Sequence, residues 1–514
     1  MNKKKYFEFL YLILLGALSS LSLPPYNFLI INFFTFSSFF IFLVKKKNLP
    51  ISKKSSFFYG WLFGFGYFFT NLYWIPISLT FDENFKFLIP FALIAIPAFL
   101  AIFYGLVTLL LFMFNYKRIT SLFFLFPLLF GLIEFLRGYI LSGFPWNLLV
   151  YSFSNYLEIL QVLSVVGTYA LNLLCITLFI SPAIIILRNS KKDFLIAIFF
   201  IFTPLILYFF GNLKIENFQK KNTVKNDYII RVVSSNINLD RFYSDQDTFS
   251  ILTELIELSD PPLETKTFFL WPEGILPNIS QSELIEFKNL FEEKFNNNHL
   301  LGLGINNQTN QNNINKFFNS FSIYDNNIKL LYSYDKVKLV PFGEFLPLEN
   351  IFKIIGLKSL TNNYQSYSAG SKRNIIDLKD NNFSIKILPL ICYEIIYSGK
   401  LFKDDNFDYI INISEDGWFG NSIGPYQHYT HSIFRAIENG KYVIRSANNG
   451  ITAIINPIGV AEKKLSLDES GYIDFKEKRT VETTLFSKYG NKIFFSIILL
   501  YIFIIFSFRK IQNE

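Results

Sequence analysis

Cys392 is the residue of this chain whose side chain is best suited to nucleophilic chemistry. It lies in LPLICYEIIY (388–397), between residues typical of a strand, and the carboxylate of Glu394 follows two positions later. A thiol is the least inactive side-chain nucleophile near neutral pH. Free cysteine is also a common small buried side chain, so this stretch alone leaves a nucleophile and a core residue as open interpretations.

Two further stretches carry residues that could assist such a nucleophile. Glu273 ends the apolar run TFFLWPE (267–273), and a carboxylate at the carboxyl end of a strand lies where α/β sheets commonly build sites. Lys336 and Glu344 lie on either side of the Pro-Phe-Gly turn in YDKVKLVPFGEFLP (334–347). Taken singly, the first is equally typical of a solvated acid and the second of a charged hairpin.

As a set, these positions resemble the nitrilase superfamily. Its members carry a Glu at the end of one strand, a Lys in a Y-x-K stretch, and a Cys followed by an aromatic residue and a Glu; here these are Glu273, Lys336 and Cys392. The resemblance implies that Cys392 is the nucleophile and that Glu273 moves its proton. Lys336 would stabilise the oxyanion, helped by a backbone N–H such as that of Tyr393. It implies neither a metal nor a cofactor.

The elements that must hold these residues begin with a long apolar half. Runs long enough to cross about 30 Å of hydrocarbon recur through the first 212 residues and once at the end. The first run could be a signal peptide, but no small-residue cleavage site follows it, which favours an uncleaved helix. We place eight spans near residues 6–22, 27–44, 56–78, 87–114, 119–136, 162–187, 194–211 and 491–508.

The lysines and arginines in the short loops predict the orientation of these spans. With eight spans, all the basic clusters fall on one side, so both termini are expected in the cytoplasm and the segment 213–490 outside it. The net charge of +8 is then explained largely by these topological residues, and nucleic acid is not an expected partner. The clusters are Lys3–Lys5, Lys45–Lys47 with Lys53 and Lys54, Lys117–Arg118, Arg188 with Lys191 and Lys192, and Arg509–Lys510.

Short β-rich runs alternate with helix-compatible segments in the second half. This alternation predicts a layered α/β domain after a polar linker at 213–226. Helices are expected within 282–295 and 428–441, and His428 and His431 on the latter are expected to make structural hydrogen bonds. The predicted domains are 1–212 with seven transmembrane helices, 213–490 as the catalytic domain, and 491–514 as a last helix with a cytoplasmic tail.

The other cysteine, Cys175, falls in the middle of the sixth predicted span. A disulfide needs Cα atoms within about 7 Å, so a bridge to Cys392 is not expected. A free thiol outside the cytoplasm is a liability unless it is buried or used.

The apolar half adds a second, more specific resemblance, to the apolipoprotein N-acyltransferase family, over nearly the whole chain. It rests on YGWLFGFGYFFTNLYWIPISL (59–79), IEFLRGYILSGFPWNLLVYS (133–152), LVPFGEFLP, CYE and DGWFGNSIGPYQH. The resemblance implies eight transmembrane helices plus an exported α/β nitrilase-like domain, an α-β-β-α sandwich. The protein would lie in a bacterial inner membrane with its catalytic domain on the periplasmic side.

This family moves an acyl chain from a phospholipid to the α-amino group of a lipoprotein's diacylglyceryl-modified amino-terminal cysteine. The resemblance implies a ping-pong route in which Cys392 becomes a thioester before the amine takes the acyl chain. The implied partners are therefore a phospholipid donor, a diacylglyceryl-modified apolipoprotein acceptor and the lipid bilayer.

The same resemblance implies roles for neighbouring residues. Glu344 and Glu394 would support the three catalytic residues, and Tyr393 would flank the acyl site. Trp418 would line the entrance. Where the family often has a tryptophan after the first strand, this chain has Tyr243, with Phe242 as the alternative; the family's frequent histidine near the catalytic lysine is replaced by Lys338.

Two features at the expected membrane surface have alternative explanations. The segment FLPLENIFKIIGLKSL (345–360) could be a mobile arm that dips into the interface, or an amphipathic helix packed on the domain. Arg137, at the outer end of the fifth span, could bind a phospholipid phosphate, or extend to the interface without a specific ligand.

Two other functions remain alternatives at this point. A membrane-tethered nitrilase-type amidase would use the same Glu273, Lys336 and Cys392 but would not need eight spans. A non-catalytic scaffold or transporter would not need an intact set of these residues, and transporters usually carry polar residues and broken helices at mid-membrane.

Overall fold

The computed structural model describes residues 3–116, 118–243, 247–311, 314–347, 366–380, 383–402 and 406–510. The chain forms a helical body, to which the first 219 residues and the last helix belong, and a domain of two β-sheets between them. Most of the predicted interfacial arm, from residue 348 onward, lies outside the described residues.

Every apolar run that was predicted to span the membrane overlaps a helix of 18 residues or more. Four stretches of the described chain are long and apolar enough to be membrane spans by length and composition, namely Glu83–Met113, Ile119–Arg137, Leu163–Leu187 and Lys191–Gln219. The helices of the first half are α1 (Lys3–Ser20), α2 (Ile30–Lys47), α3 (Lys53–Asn71), α4 (Ile89–Met113), α5 (Ile119–Arg137), α6 (Leu157–Leu160), α7 (Leu163–Leu187) and α8 (Lys191–Gln219).

Glycine allows the helices to pack backbone to backbone. A Cβ added at Gly60 of α3 would lie 2.1 Å from the carbonyl oxygen of Tyr104 in α4. The Gly60 N–H donates instead to the Thr108 hydroxyl at 3.1 Å, and that hydroxyl donates to the Ser56 carbonyl at 2.7 Å. Close approach of this kind, with hydrogen bonds between helices, is typical of packing inside membranes.

The sheet domain contains thirteen described strands. They are β1 (Val224–Ser234), β2 (Thr267–Leu270), β3 (Leu276–Ser280), β4 (His299–Gln311), β5 (Ile314–Asp325), β6 (Leu330–Asp335), β7 (Ile376–Asp380), β8 (Phe383–Ile391), β9 (Tyr409–Glu415), β10 (Tyr442–Asn448), β11 (Thr452–Ile455), β12 (Ala461–Leu465) and β13 (Gly471–Lys478). The later helices are α9 (Thr248–Ser259), α10 (Lys288–Glu292), α11 (Gly424–Asn439), α12 (Leu485–Tyr489) and α13 (Lys492–Lys510).

The strands form two mixed sheets with parallel centres. The first has the order β13-β1-β2-β4-β5-β6, with β3 beside β4, and the second has the order β12-β11-β10-β9-β8-β7. Strands β1, β2 and β4 run parallel, as do β8, β9 and β10. The carboxyl ends of parallel neighbours meet at one edge of a sheet, which is where Glu273 and Cys392 follow their strands.

The two sheets face each other across an apolar layer and are covered by helices. Ile230 and Phe268 of the first sheet share this layer with Ile387 and Ile411 of the second. Helices α9 and α10 cover the outer face of the first sheet, whereas α11 covers the second and packs against α7 of the helical body. The domain is therefore the expected α-β-β-α sandwich.

One local prediction was wrong. Helix α8 continues to Gln219 and β1 begins at Val224, so most of the predicted linker at 213–226 is regular structure. Its polar residues continue the helix instead of ending it, and Asn212 bonds to Glu216 one turn later at 3.0 Å. The helix expected within 282–295 is present but short, as α10 with the 3₁₀ turn Leu284–Phe287 directly before it.

Candidate active site

Cys392 lies at the junction between strand β8 and a short 3₁₀ turn, Cys392–Ile396. Its φ angle is +47°, a left-handed conformation that is uncommon for residues other than glycine. Its side chain is buried, with 7% of the residue exposed. A sharp turn from a strand into a helix is also how α/β-hydrolases present a nucleophile, and the buried position fits that use as well as a packing role.

Lys336 joins two carboxylates beside this cysteine. It follows strand β6, and its Nζ lies 2.9 Å from Glu273 Oε1 and 2.9 Å from Glu344 Oε1. All three side chains are at least nine-tenths buried. The structure thus brings together Glu273 and Lys336, which are 63 positions apart in the sequence, and gives the ammonium group a second carboxylate partner in Glu344.

Asn319 of strand β5 completes this arrangement. Its Nδ2 donates to Glu273 Oε1 at 2.7 Å and to Glu344 Oε1 at 2.8 Å. Glu273 Oε2 accepts the backbone N–H of Glu415 at 3.0 Å, and Glu344 Oε2 accepts that of Val340 at 2.8 Å. Asn319 could not be identified from the sequence, because one asparagine in an asparagine-rich chain carries no distinguishing signal.

The charges of the site act strongly on Lys336. Burial lowers its pKa, but Glu273 and Glu344 outweigh burial and hold the pKa well above its usual range. Lys336 therefore stays a cation over the whole physiological pH range. A fixed positive charge in a buried site is suited to stabilising an oxyanion, since electrostatic attraction is strong where water is excluded.

Cys392 is a protonated thiol in the resting site. Burial raises its pKa well above the usual range, and the charges of Glu273 and Asp416 raise it further, while Lys336 and the Ser414 hydroxyl oppose them. A neutral thiol needs a base before it can attack a carbonyl carbon. Glu273 is a carboxylate whose charge acts on this thiol, so it can serve as that base.

Glu394 fastens the backbone around the site. Its Oε2 accepts the Ile391 N–H at 2.9 Å, one residue before the cysteine. Its Oε1 accepts the N–H groups of Val337 and Lys338 at 3.1 and 3.2 Å, directly after Lys336. One buried carboxylate therefore holds the two segments that carry the nucleophile and the lysine, with the Tyr334 hydroxyl donating to the same oxygens.

Tyr393 connects the nucleophile turn to the helical body. Its hydroxyl donates to the carbonyl of Gly143 at 2.8 Å, and its ring packs edge-on against Tyr397. Gly143 lies in the loop after α5, so the residue beside Cys392 is in contact with the helical half. That Tyr393 flanks an acyl site stays a prediction.

Trp418 lies half-buried in an aromatic group at one side of the site. Its ring centroid is 5.1 Å from Phe242 and 5.9 Å from Phe81 of the helical body. Tyr243 is farther away, at 6.4 Å, and is 38% exposed. The ring of Phe242, the other candidate for the position after the first strand, lies against Gly274, the residue after Glu273.

Arg137 is turned into the protein instead of toward the interface. It is 1% exposed. Its guanidinium pairs with Glu134 at 3.4 Å, donates to the carbonyl of Phe144 and lies over the Phe68 ring. The expectation that it extends to the membrane surface is therefore wrong, because these protein partners hold it inside; binding of a phosphate stays a prediction.

The structure also shows polar residues that sequence reasoning did not assign to the site. His428 of α11 lies between Asp416 and the backbone of Cys392, and Arg445 lies behind Asp416. The expected structural hydrogen bonds of His428 are present, but the sequence does not indicate that one of them reaches the backbone of Cys392. Within the described ranges, no three His, Cys, Asp or Glu side chains are grouped as metal ligands, and both described cysteines are free.

Comparison with known proteins gives matches to both halves of the chain. Residues 15–181 match the family model described as the apolipoprotein N-acyltransferase N-terminal domain, and residues 270–476 match the one described as carbon-nitrogen hydrolase. The apolipoprotein N-acyltransferase of Rickettsia prowazekii (strain Madrid E) is 34% identical over 96% of this chain and 96% of its own length. That of Rhodopseudomonas palustris (strain ATCC BAA-98 / CGA009) is 31% identical over 93% and 91%.

Proposed function

The chain belongs to the apolipoprotein N-acyltransferase family, and we propose that it moves a fatty acyl chain from a membrane phospholipid to the amino-terminal amine of a diacylglyceryl-modified lipoprotein. The observation that carries this proposal is the buried pair of Lys336 and Glu273 beside a protonated Cys392 thiol. These groups supply a nucleophile, a base and a fixed cation in one place.

The first half-reaction forms a thioester on Cys392. Glu273 takes the thiol proton while Sγ attacks the ester carbonyl carbon of the phospholipid. Lys336 stabilises the tetrahedral oxyanion, aided by a backbone N–H such as that of Tyr393. The intermediate then collapses, the carbon–oxygen bond breaks, and Glu273 returns the proton to the departing alkoxide of the lysophospholipid.

The second half-reaction transfers the acyl chain to the lipoprotein. The neutral amine attacks the thioester carbon, and Glu273 takes a proton from the amine nitrogen. Lys336 again faces the oxyanion. The carbon–sulfur bond breaks, the amide forms, and the sulfur recovers its proton from Glu273, so the enzyme returns to its starting state.

Several neighbours have supporting roles in this proposal. Glu344 and Glu394 keep Lys336 and the nucleophile turn in place, as their hydrogen bonds indicate. Trp418, with Phe242 and Tyr243, lines the entrance to the site.

The donor must be reached without removing its acyl chains from the bilayer. Burying one CH₂ group in lipid is worth about 0.8 kcal/mol, so extracting a phospholipid would be very costly. Contact between the Tyr393 hydroxyl and Gly143 of the helical body supports a nucleophile close to the outer leaflet.

We further propose that all eight long helices cross the membrane, with both termini in the cytoplasm and residues 213–490 in the periplasm. The ends that carry basic residues lie together. Lys46 at the end of α2 pairs with Glu8 of α1 at 2.6 Å, and Lys47 donates to the Leu111 carbonyl near the end of α4 at 2.9 Å. Arg118 before α5 donates to the Phe508 carbonyl of α13 at 3.1 Å. One-sided basic loops of this kind are typical of a cytoplasmic face.

The function is tested by a transfer assay with labelled phospholipid and a diacylglyceryl-modified lipopeptide. The unaltered protein should release lysophospholipid and produce an N-acylated peptide. Cys392→Ala and Cys392→Ser should do neither, while still inserting and folding. Full transfer by purified Cys392→Ala would reject the proposal; cleavage of small amides with no phospholipid turnover would instead favour a membrane-tethered amidase.

A further inference from the structure

His428 reaches the backbone of the nucleophile from the first turns of α11. Its Nε2 lies 3.2 Å from the carbonyl oxygen of Cys392, and its Nδ1 lies 2.8 Å from Asp416 Oδ1. The imidazole is completely buried. The reaction described above leaves this residue without a role, although no other described side chain bonds to that carbonyl.

The hydrogen bond to the Cys392 carbonyl stabilises a residue whose backbone conformation is strained. Cys392 has a φ angle of +47°, and a left-handed backbone conformation in a residue with a side chain persists only where the surroundings enforce it. Glu394 holds the chain before the cysteine through the Ile391 N–H. His428 holds the chain after it, so buried side chains hold the backbone both before and after the nucleophile.

The ring of His428 is itself held from several directions. Asp416 Oδ1 also accepts the Ser414 hydroxyl at 2.7 Å, and Asp416 Oδ2 accepts Arg445 Nη2 at 2.6 Å. The Trp146 ring of the helical body stacks on the imidazole with centroids 5.3 Å apart. The imidazole therefore has one orientation available, with Nε2 toward Cys392.

The contact with the nucleophile requires a proton on Nε2 of His428, because the Cys392 carbonyl can only accept a hydrogen bond. A doubly protonated ring donates from Nδ1 to Asp416 and from Nε2 to Cys392. A neutral ring with its proton on Nε2 still donates to Cys392, and Arg445 Nη2, 3.2 Å from Nδ1, can then donate to the ring. No proton transfer through His428 is needed for it to act.

We propose that His428 is a positioning residue, which uses its bond to the Cys392 carbonyl to hold the strained turn so that the thiol faces Glu273 and Lys336. This proposal rests on the proposed function only because it takes Cys392 as the nucleophile. Because Trp146 stacks on the same ring, His428 also ties the geometry of the nucleophile to the helical body.

His431, one turn later on α11, is a matched control. It is 1% exposed, and its ring centroid lies 5.1 Å from that of Trp146. Its Nδ1 makes no hydrogen bond within the described residues. The two histidines thus share a helix, a degree of burial and an aromatic neighbour, and only His428 bonds to the nucleophile.

The test compares His428→Leu, His428→Gln, His428→Asn and His431→Leu in the full-length protein in detergent micelles. Two rates are measured: lysophospholipid release from phosphatidylethanolamine without acceptor, and alkylation of Cys392 by iodoacetamide across a range of pH. Loss of one buried hydrogen bond should lower the acylation rate of His428→Leu by about tenfold. KM for the phospholipid and the shape of the pH–rate profile should stay as in the unaltered protein.

The amide variants and the control decide the interpretation. Either His428→Gln or His428→Asn, which keep an N–H donor, should recover most of the acylation rate. The rate of His431→Leu should stay within about twofold of that of the unaltered protein, because this variant loses no hydrogen bond to Cys392. Equal losses of acylation rate in His428→Leu and His431→Leu would overturn the proposal. So would the loss of one limb of the pH–rate profile in His428→Leu, which would mean that His428 takes part in acid–base chemistry.

The same variants also distinguish misfolding of His428→Leu, and failure of the proposed function, from failure of this proposal. Should His428→Leu fail to fold, the amide variants carry the test, and inactivity of both with normal thermal unfolding would reject the proposal. Cys392→Ala is assayed in parallel: if it keeps transfer activity, the proposed function fails, whereas the alkylation profile still reports on whether His428 positions the thiol.

Discussion

At the scale of single residues, the charged side chains around Cys392 shift the pKa of its thiol in opposite directions. Glu273 raises the pKa of the Cys392 thiol, and Lys336 lowers it. The carboxylate therefore favours a protonated thiol at rest, although in the proposed mechanism it is also the group that removes the proton. We infer that attack and proton transfer occur together, once a carbonyl carbon lies beside Sγ, and that little free thiolate accumulates before then.

This balance predicts opposite effects of Glu273→Gln on thiol acidity and on catalysis. Removing the carboxylate charge should lower the pKa of Cys392, because Glu273 raises it, so alkylation by iodoacetamide should reach its midpoint at lower pH. Acylation by phospholipid should nevertheless fall by about 10²–10⁴-fold, the usual contribution of a general base. Peptide mass spectrometry separates Cys392 from Cys175, which is buried in α7.

The exposed Glu264→Gln serves as the control and should change neither property. If Glu273→Gln raised the midpoint of alkylation, the electrostatic account of the site would be wrong. If it left acylation intact, Glu273 would not be the base.

The residues of the site were predictable from the sequence only where their local pattern was distinctive. Glu273, Lys336 and Cys392 each end a strand-like run, and the structure brings them to one place. Asn319 and His428 could not be found in this way, because what matters is their contact with residues far away in the sequence. His428 meets the Cys392 carbonyl across 36 positions, and no local spacing records that contact.

At the scale of elements, the position of each long helix followed from the apolar runs, but the helix ends did not. Helix α8 continues past its apolar part to Gln219, because polar residues can extend a helix that is already formed. Helix α7 is interrupted at Gly167, where φ is +77° and the Phe486 ring of α12 occupies the space of a side chain. That contact depends on a residue more than three hundred positions away and leaves no trace in the local sequence.

The gathering of basic residues at one end of the helical body predicts which loops face the cytoplasm. In a Cys392→Ala background, Asn48→Cys lies in the loop after α2, and Glu264→Cys lies in the sheet domain; both positions are exposed. A membrane-impermeant maleimide should label Glu264→Cys in cells whose outer membrane has been permeabilised. Asn48→Cys should be labelled only after the inner membrane is opened.

The labelling control is already present in the chain. Cys175 is 1% exposed within α7, so the Cys392→Ala parent should stay unlabelled in both conditions. Labelling of Asn48→Cys in intact inner membranes would contradict the proposed orientation.

At the scale of the whole molecule, the two halves are joined by buried polar contacts that would be costly to break. Trp146 Nε1 donates to Gln427 Oε1 at 2.8 Å. The N–H and hydroxyl of Thr168 donate to Glu438 Oε1 at 2.8 and 2.6 Å. Buried groups left without partners cost about 1–3 kcal/mol each. The helical body therefore does more than anchor the sheet domain: it fixes α11, and through it His428, relative to the nucleophile.

In the proposed reaction, these contacts between the helical body and the sheet domain explain how an acyl donor that stays in the bilayer can reach a thiol in the sheet domain. The composition of the chain predicted both halves, and the motifs predicted their chemistry. How the halves are joined could not be predicted, because it depends on contacts such as those of Tyr393 with Gly143 and of Thr168 with Glu438. Each of these pairs is more than two hundred positions apart.

The central claim is that Cys392 carries the acyl chain between donor and acceptor. It is tested most directly by mass spectrometry of the full-length protein after incubation with phospholipid and no lipoprotein. We expect the peptide that contains Cys392 to gain the mass of one fatty acyl group, to lose it with hydroxylamine, and to stay unmodified in Glu273→Gln. Release of lysophospholipid by the unaltered protein with no acyl group on Cys392, or with the acyl group on another residue, would contradict the account.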